Sequence, residues 1–160
     1  MRPKSLIFIA ISLFLFGCAA TVPMESATKD AELKKFVPKD NLAGIYIYRS
    51  EEDAVSIKAS IEIDGDYEGD LAAGTFLYKE VSPGKHTILS KAENKDCIEL
   101  NADAGRLYYL WQDMKRGVFF ARSKLSIVNE KEGQTGVLLS NLAITRNTSV
   151  ASLNELPRCP

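Results

Sequence analysis

The feature that most constrains the fold is an alternation of apolar and polar residues with a period of two. It is clearest in residues 55–63, where every second residue is apolar and the residues between are polar or charged. The apolar set is Val55, Ile57, Ala59, Ile61 and Ile63. Successive side chains of a β-strand point to opposite sides of a sheet, so this run predicts a strand buried on one face.

Other short runs predict the remaining strands. They lie at residues 44–48, 75–81, 87–92, 98–102, 107–111 and 119–128. The last two are more uniformly apolar or aromatic, which is typical of strands covered on both faces. Turn dipeptides such as Asp64-Gly65 and Pro83-Gly84 separate the runs. Short strands with breaks about every ten residues predict an all-β fold, a small antiparallel β-sandwich.

The first residues predict an export signal. Arg2 and Lys4 precede an apolar run over residues 6–16, which is interrupted by no charge. As a helix this run would rise only about 16 Å, roughly half of a hydrocarbon core of about 30 Å. A positive start followed by a short apolar run therefore predicts a secretory signal peptide rather than a membrane-spanning helix.

The end of this run resembles the lipobox of bacterial lipoproteins. Leu15-Phe16-Gly17-Cys18 places a small residue directly before a cysteine. The resemblance implies lipidation of the Cys18 thiol, cleavage after Gly17 and an anchor in the membrane. Ala19 follows where an inner-membrane retention signal would have Asp, which favours the outer membrane, facing the periplasm. The alternative is an ordinary secretory signal in which Cys18 has no role.

These features divide the chain into three parts. Residues 1–17 are predicted to be the lipoprotein signal peptide, 18–41 the lipidated cysteine with a flexible tether, and 42–160 the β-sandwich domain. Within the tether, residues 28–36 could form a short helix with Thr28 as its cap.

The C-terminal part predicts a short helix across residues 131–142, with a strand as the alternative. Apolar residues recur there at helical spacing, whereas Gly133 and Gly136 weaken a helix.

Composition excludes two classes of protein. Hydrophobic residues make up 46% of the chain and charged residues 26%, which is ordinary for a packed domain and not for a disordered one. The net charge is -1, and it becomes -3 once Arg2 and Lys4 are removed with the signal. Because there is no basic block, no nucleic-acid partner is expected.

Two cysteines remain after the signal, Cys97 and Cys159. Cys97 shares its strand parity with Glu99 and Asn101, so its side chain should lie on the polar face and be accessible to the C-terminal tail. In an oxidising compartment the two thiols could form a disulfide. Two free thiols are the alternative.

An acidic stretch after the first turn gives a weak calcium signal. Acidic residues occupy loop positions one, three, five and seven of an EF-hand pattern, at Asp64, Asp66, Glu68 and Asp70. Position twelve should be a bidentate Glu and is Thr75 instead. We therefore expect a solvated hairpin turn and no metal or cofactor.

No catalytic constellation is evident. His86 is the only histidine, and a hydrolytic pair would need Cys97 and a third orienting group close to it. We therefore expect no enzymatic activity. A set of aromatic residues could line a ligand groove, although such residues more often form core: Tyr46, Tyr48, Tyr108, Tyr109 and Trp111.

Residues 61–93 carry a family resemblance. A strand ends in Asp-Gly, an aromatic strand follows, and Val-x-Pro-Gly-x-His opens the next strand. This order is similar to that of PEGA-type modules among small β-sandwich domains. Together with residues 44–49 and 104–109, it resembles the DUF2846 family of bacterial lipoproteins over about residues 42–128. The resemblance implies a fold and no catalytic residues.

The sequence therefore favours a membrane-anchored envelope lipoprotein. Its module would be non-catalytic and would serve protein interaction or envelope assembly, possible partners being other envelope proteins. The alternative is a lipoprotein that binds a small molecule or a glycan. A pocket with converging polar groups would favour the alternative, and a flat apolar patch would favour the first interpretation.

Overall fold

A computed structural model describes residues 21–51, 57–116, 121–145 and 159. The strands are β1 (Ala43–Arg49), β2 (Ala59–Ile63), β3 (Asp66–Leu71), β4 (Thr75–Val81), β5 (Gly84–Lys91), β6 (Lys95–Ala102), β7 (Leu107–Arg116), β8 (Ala121–Val128) and β9 (Asn141–Leu142). The helices are α1 (Ala27–Leu33) and α2 (Glu130–Leu138). The predicted signal peptide and Cys18 lie outside the described residues. Within these ranges no helix has the length and apolar character needed to cross a membrane.

The strands form two sheets, in the orders β8-β7-β1-β4-β9 and β3-β2-β5-β6. The predicted all-β class is confirmed. The larger sheet is mixed rather than purely antiparallel, because β1 pairs in parallel with β7 and β4 pairs in parallel with β9. Tight hairpins impose antiparallel pairing on consecutive strands. Between β1 and β7 the chain forms β4 and all four strands of the smaller sheet, so no hairpin fixes the relative direction of β1 and β7.

A hydrophobic core fills the space between the sheets. Ile45, Ile47 and Leu110 from the larger sheet pack there with Ile61 and Ile88 from the smaller one, and each is at most 1% exposed. The predicted alternation of β2 is confirmed, since its burial switches between buried and half-buried from residue to residue. This core makes the molecule a β-sandwich.

A second cluster covers the outer face of the larger sheet. Tyr46, Tyr48 and Tyr109 lie there beneath the helices with Val137 of α2, and each of the four is at most 4% exposed. All seven residues of β1 are therefore buried, because the strand is covered on both faces.

Residues 21–41, which the sequence predicts to be a tether, instead pack against the domain. The Glu25 N–H donates to the Leu142 carbonyl, and the Ile144 N–H donates to the Pro23 carbonyl, both at 2.9 Å. Val22 is only 8% exposed in the core between the sheets. The segment is mostly polar, but Val22 packs in the core and Met24 bridges Ala143 at the edge of the larger sheet.

The short helix of this segment spans Ala27–Leu33 rather than the predicted residues 28–36, and its cap is Ser26 rather than Thr28. Ser26 caps α1 by accepting a hydrogen bond from the Lys29 N–H. At its other end the Tyr46 hydroxyl donates to the Leu33 carbonyl at 2.7 Å. Asp30 accepts the Leu142 N–H at 2.8 Å, so α1 is attached to both β1 and β9.

The C-terminal part contains both predicted alternatives, first α2 and then β9. Asn129 caps α2 by accepting the Glu132 N–H at 3.0 Å. Gly133 and Gly136 are the residues of α2 whose backbone lies closest to the aromatic side chains of the sheet. A Cβ at Gly133 would lie 2.2 Å from the Tyr109 Cβ, and one at Gly136 would lie 2.1 Å from the Tyr48 ring. The two glycines therefore allow the helix to pack directly on the aromatic residues.

The edge strand β8 is held by side chains of the other sheet. Asn94 pairs with both backbone groups of Ser123, accepting its N–H at 2.7 Å and donating to its carbonyl at 2.8 Å. Asp96 accepts the Leu125 N–H at 2.5 Å. Backbone groups on an open sheet edge would otherwise be available to another strand. Hydrogen bonds thus join the two sheets along the side formed by β6 and β8.

Candidate functional site

The single histidine joins two turns at one end of the smaller sheet. His86 on β5 is 7% exposed, and its Nδ1 lies 2.6 Å from the Asp64 carboxylate. Its Nε2 lies 2.7 Å from the Ser82 carbonyl. The other Asp64 oxygen accepts the Thr87 N–H at 2.8 Å. Both ring nitrogens therefore face an oxygen of the protein, and the imidazole bridges the two turns.

The residues of the calcium signal do not surround a common point. Asp64 lies in the turn at a φ of 54° and is occupied by His86 and Thr87. Asp66, Glu68 and Asp70 belong to β3, which is a strand rather than a loop. In the described ranges no three His, Cys, Asp or Glu side chains are grouped so that they could hold a metal ion.

The two predicted disulfide partners are joined in the structure. Cys97 on β6 and Cys159 in the C-terminal tail form a disulfide, with their Cα atoms 5.4 Å apart. Cys97 is half-buried between the exposed side chains of Lys95 and Glu99, as the strand parity predicts. This bond fixes the end of the chain to the smaller sheet.

Most of the aromatic residues are core rather than an open groove. Tyr46 and Tyr109 stack with ring centroids 5.3 Å apart, and Tyr78 lies 4.6 Å from Tyr46. Burial is the main cause that raises the pKa of all three hydroxyls, which therefore stay protonated and can donate. Trp111 packs half-buried against the same cluster, and Tyr108 packs against the core between the sheets.

A cleft of about 350 Å³ opens between α1 and β4. It is lined by Lys29, Leu33, Tyr78, Lys79, Glu80 and Thr145. Lys29 pairs with Glu25 at 2.7 Å, and Lys79 pairs with Glu68 at 2.7 Å. The Glu80 carboxylate accepts from Lys39 at 2.7 Å. The charged groups around the cleft are therefore neutralised by partners within the protein.

Glu68, which pairs with Lys79 of this cleft, is a buried carboxylate that the sequence does not predict. It is 2% exposed, and one of its carboxylate oxygens has no hydrogen-bond partner. Desolvation by burial is the dominant cause and raises the pKa of its carboxyl, although the hydrogen bond from Lys79 opposes the shift. Nothing in the sequence indicated this pair, because the two residues lie on different strands and a buried Glu is rare.

Glu68 is expected to make the stability fall as the pH rises. The folded protein keeps the proton to a higher pH than the unfolded chain, so the free energy of unfolding decreases from about pH 4.5 upward through the raised pKa. In Glu68→Gln this part of the decrease should disappear. Lys79→Met should instead extend it to higher pH, because Lys79 lowers the pKa. Urea unfolding at a series of pH values measures this, and equal slopes in all three proteins would contradict it.

The comparisons with known proteins agree with the predicted family. A family model described as "Protein of unknown function (DUF2846)" matches residues 39–123, which is more than half of the chain. An uncharacterized protein of Haemophilus influenzae is 33% identical over 140 residues, covering 86% of this chain and 82% of that protein. No solved structure matches. The likeness to PEGA-type modules stays a prediction. On the family model and the relative, the chain belongs to the DUF2846 family.

Proposed function

We propose that this protein is a lipid-anchored envelope protein whose β-sandwich has a non-catalytic role in protein interaction or envelope assembly. The observation that carries the proposal is the position of Cys18. It follows an apolar run too short to span a membrane, and it precedes Val22, which is buried in the core, by only four positions. A cysteine at the junction between an export signal and a folded domain is where a lipid anchor is expected.

The disulfide supports an extracytoplasmic location. Disulfides form and persist in oxidising compartments such as the periplasm, whereas cytosolic thiols are kept reduced. Cys97 and Cys159 are bonded and join positions 62 residues apart. Together with the export signal, this bond favours the periplasm, and Ala19 after the cysteine favours its outer membrane.

The state of His86 supports a non-catalytic role. A general base needs a nitrogen that can accept a proton. Both ring nitrogens of His86 are already occupied within the protein, one by the Asp64 carboxylate and one by the Ser82 carbonyl. The pair joins two turns of the sheet and has the geometry of a structural contact.

Binding of a small molecule or a glycan is the second candidate function. The cleft between α1 and β4 favours it, because Lys29, Lys79 and Glu80 converge there beside Tyr78. We favour the first role, since the charges around the cleft are already paired and a ligand would have to replace those partners.

Replacing Cys18 by Ala is expected to abolish lipid labelling. A thiol is required for the thioether to the diacylglyceryl group, and buried acyl chains then contribute about 0.8 kcal/mol per methylene to anchoring. Cells expressing the protein would be grown with an alkyne fatty acid, and the label would be detected on the purified chain.

Cys97→Ala with Cys159→Ala is the matched control, which should still take up the label. Uptake of label by Cys18→Ala would contradict the proposal. An unlabelled native chain that keeps its first methionine would also contradict it.

A further inference from the structure

The anchor proposed above would be joined to the domain by a very short piece of chain. Val22 is already buried in the core, and the Pro23 carbonyl already accepts the Ile144 N–H. Val22 lies four positions after Cys18 (22 - 18 = 4), and a fully extended chain spans at most about 14 Å over four positions. The point at which the chain enters the domain must then lie close to the lipid surface.

That entry point is at one edge of the sandwich. Met24 bridges Ala143, directly after β9, and β9 is the edge strand of the larger sheet. The opposite edge is formed by β8 and, in the smaller sheet, by β6. We call residues 22–25 and 138–144, which include the C-terminal end of α2, the anchor edge.

Exposed apolar side chains are concentrated at the anchor edge. Four of the six large hydrophobic side chains that are exposed in the described part of the chain belong to it. They are Met24 (44%), Leu138 (56%), Leu139 (75%) and Ile144 (42%). The other two are Val37, which follows α1, and Ile127 on the opposite edge. Apolar surface of this kind gains free energy when it leaves water for the interfacial region of a bilayer.

We infer that the anchor edge faces the bilayer and that its exposed apolar side chains contact the phospholipid surface that holds the lipid. This inference rests on the proposed anchor at Cys18. The short connection and the exposed side chains are independent observations, and both indicate the same edge. The domain then has a fixed orientation, with β6 and β8 turned away from the membrane.

Depth-dependent quenching tests this orientation on the intact lipidated protein. Leu139→Cys at the anchor edge and Lys124→Cys on β8 are the matched labelling positions, since both side chains are exposed. Each would carry an environment-sensitive fluorophore, attached without reductant so that Cys97 and Cys159 stay bonded. The proteins would be reconstituted into vesicles of phosphatidylethanolamine and phosphatidylglycerol that contain nitroxide-labelled lipids.

The probe at Leu139→Cys should shift to shorter wavelength and lose most of its emission to the lipid quencher. The probe at Lys124→Cys should change little. Equal quenching at the two positions, or stronger quenching at Lys124→Cys, on protein that floats with the vesicles would overturn the orientation. Protein that does not float with the vesicles at all would instead refute the anchor, so the two failures are distinguishable.

Discussion

Gly133→Ala should lower the free energy of unfolding by about 3 kcal/mol, although alanine is the better helix former by about 1 kcal/mol. The new methyl group would lie 2.2 Å from the Tyr109 Cβ, whereas carbon atoms in ordinary contact are about 3.5–4.0 Å apart. Tyr109 is fixed in the sheet, and its Cβ cannot rotate away. Either α2 or β7 must therefore shift. Urea unfolding followed by the fluorescence of the single Trp111 measures the loss.

Lys131→Ala is the control on the same helix. Its side chain is exposed, so its effect should remain within about 0.5 kcal/mol. If Gly133→Ala were as stable as the original protein, α2 could not pack on β7 as described. Both substitutions raise helix propensity, but only Gly133→Ala places a methyl group against the sheet. A loss of stability seen only in Gly133→Ala therefore reports the packing of α2 on β7.

Replacing both cysteines of the disulfide, Cys97→Ser with Cys159→Ser, should cost about 4 kcal/mol. The bond joins positions 62 residues apart, and closing a loop of this length restricts the unfolded chain. The variant is expected to unfold at a lower urea concentration. The loss should come from the unfolded state, because Cys97 is only half-buried and serine fills nearly the same space.

Reduction provides the control for this prediction. Dithiothreitol should destabilise the original protein by a similar amount and leave the double variant unchanged. A double variant that matches the oxidised protein in stability would show that the bond contributes nothing to the fold. A stability that still responds to dithiothreitol in the variant would point to an effect of the reagent elsewhere.

The sequence predicts most strands because apolar alternation reports burial on one face. β4 has the predicted bounds, and β1, β5 and β6 differ by a few residues at their ends. β3 was not predicted. Its sequence DYEGDL contains three acidic residues and no alternation, yet it pairs along β2 and buries Leu71. Its pairing with β2 makes it a strand, and the spacing of apolar residues in the sequence does not report such pairing.

The glycines of α2 show a second limit. Gly133 and Gly136 weaken an isolated helix, so the sequence alone also allows a strand there. Their spacing of three also places them on one helix face, but their role depends on Tyr48 and Tyr109, which lie far away in the chain. Local propensity was overridden by tertiary packing.

The contacts at the candidate site were partly predictable. The pairing of Cys97 with Cys159 follows from their number and from strand parity. The partners of His86 do not, because Asp64 reaches it only through the register of β2 and β5. The same holds for Glu68 and Lys79, whose contact depends on how the two sheets meet at their edge.

The hydrogen bonds of Asn94 and Asp96 to the backbone of β8 matter for a protein that would share a membrane surface with many copies of itself. Lipid-anchored molecules diffuse in two dimensions and meet repeatedly in one orientation. An open edge strand at the same height in each molecule could then pair with the edge strand of a neighbour. Side chains already occupy the amides of Ser123 and Leu125. If the proposed anchor holds, neighbouring copies would therefore find no free amide at Ser123 or Leu125 with which to pair.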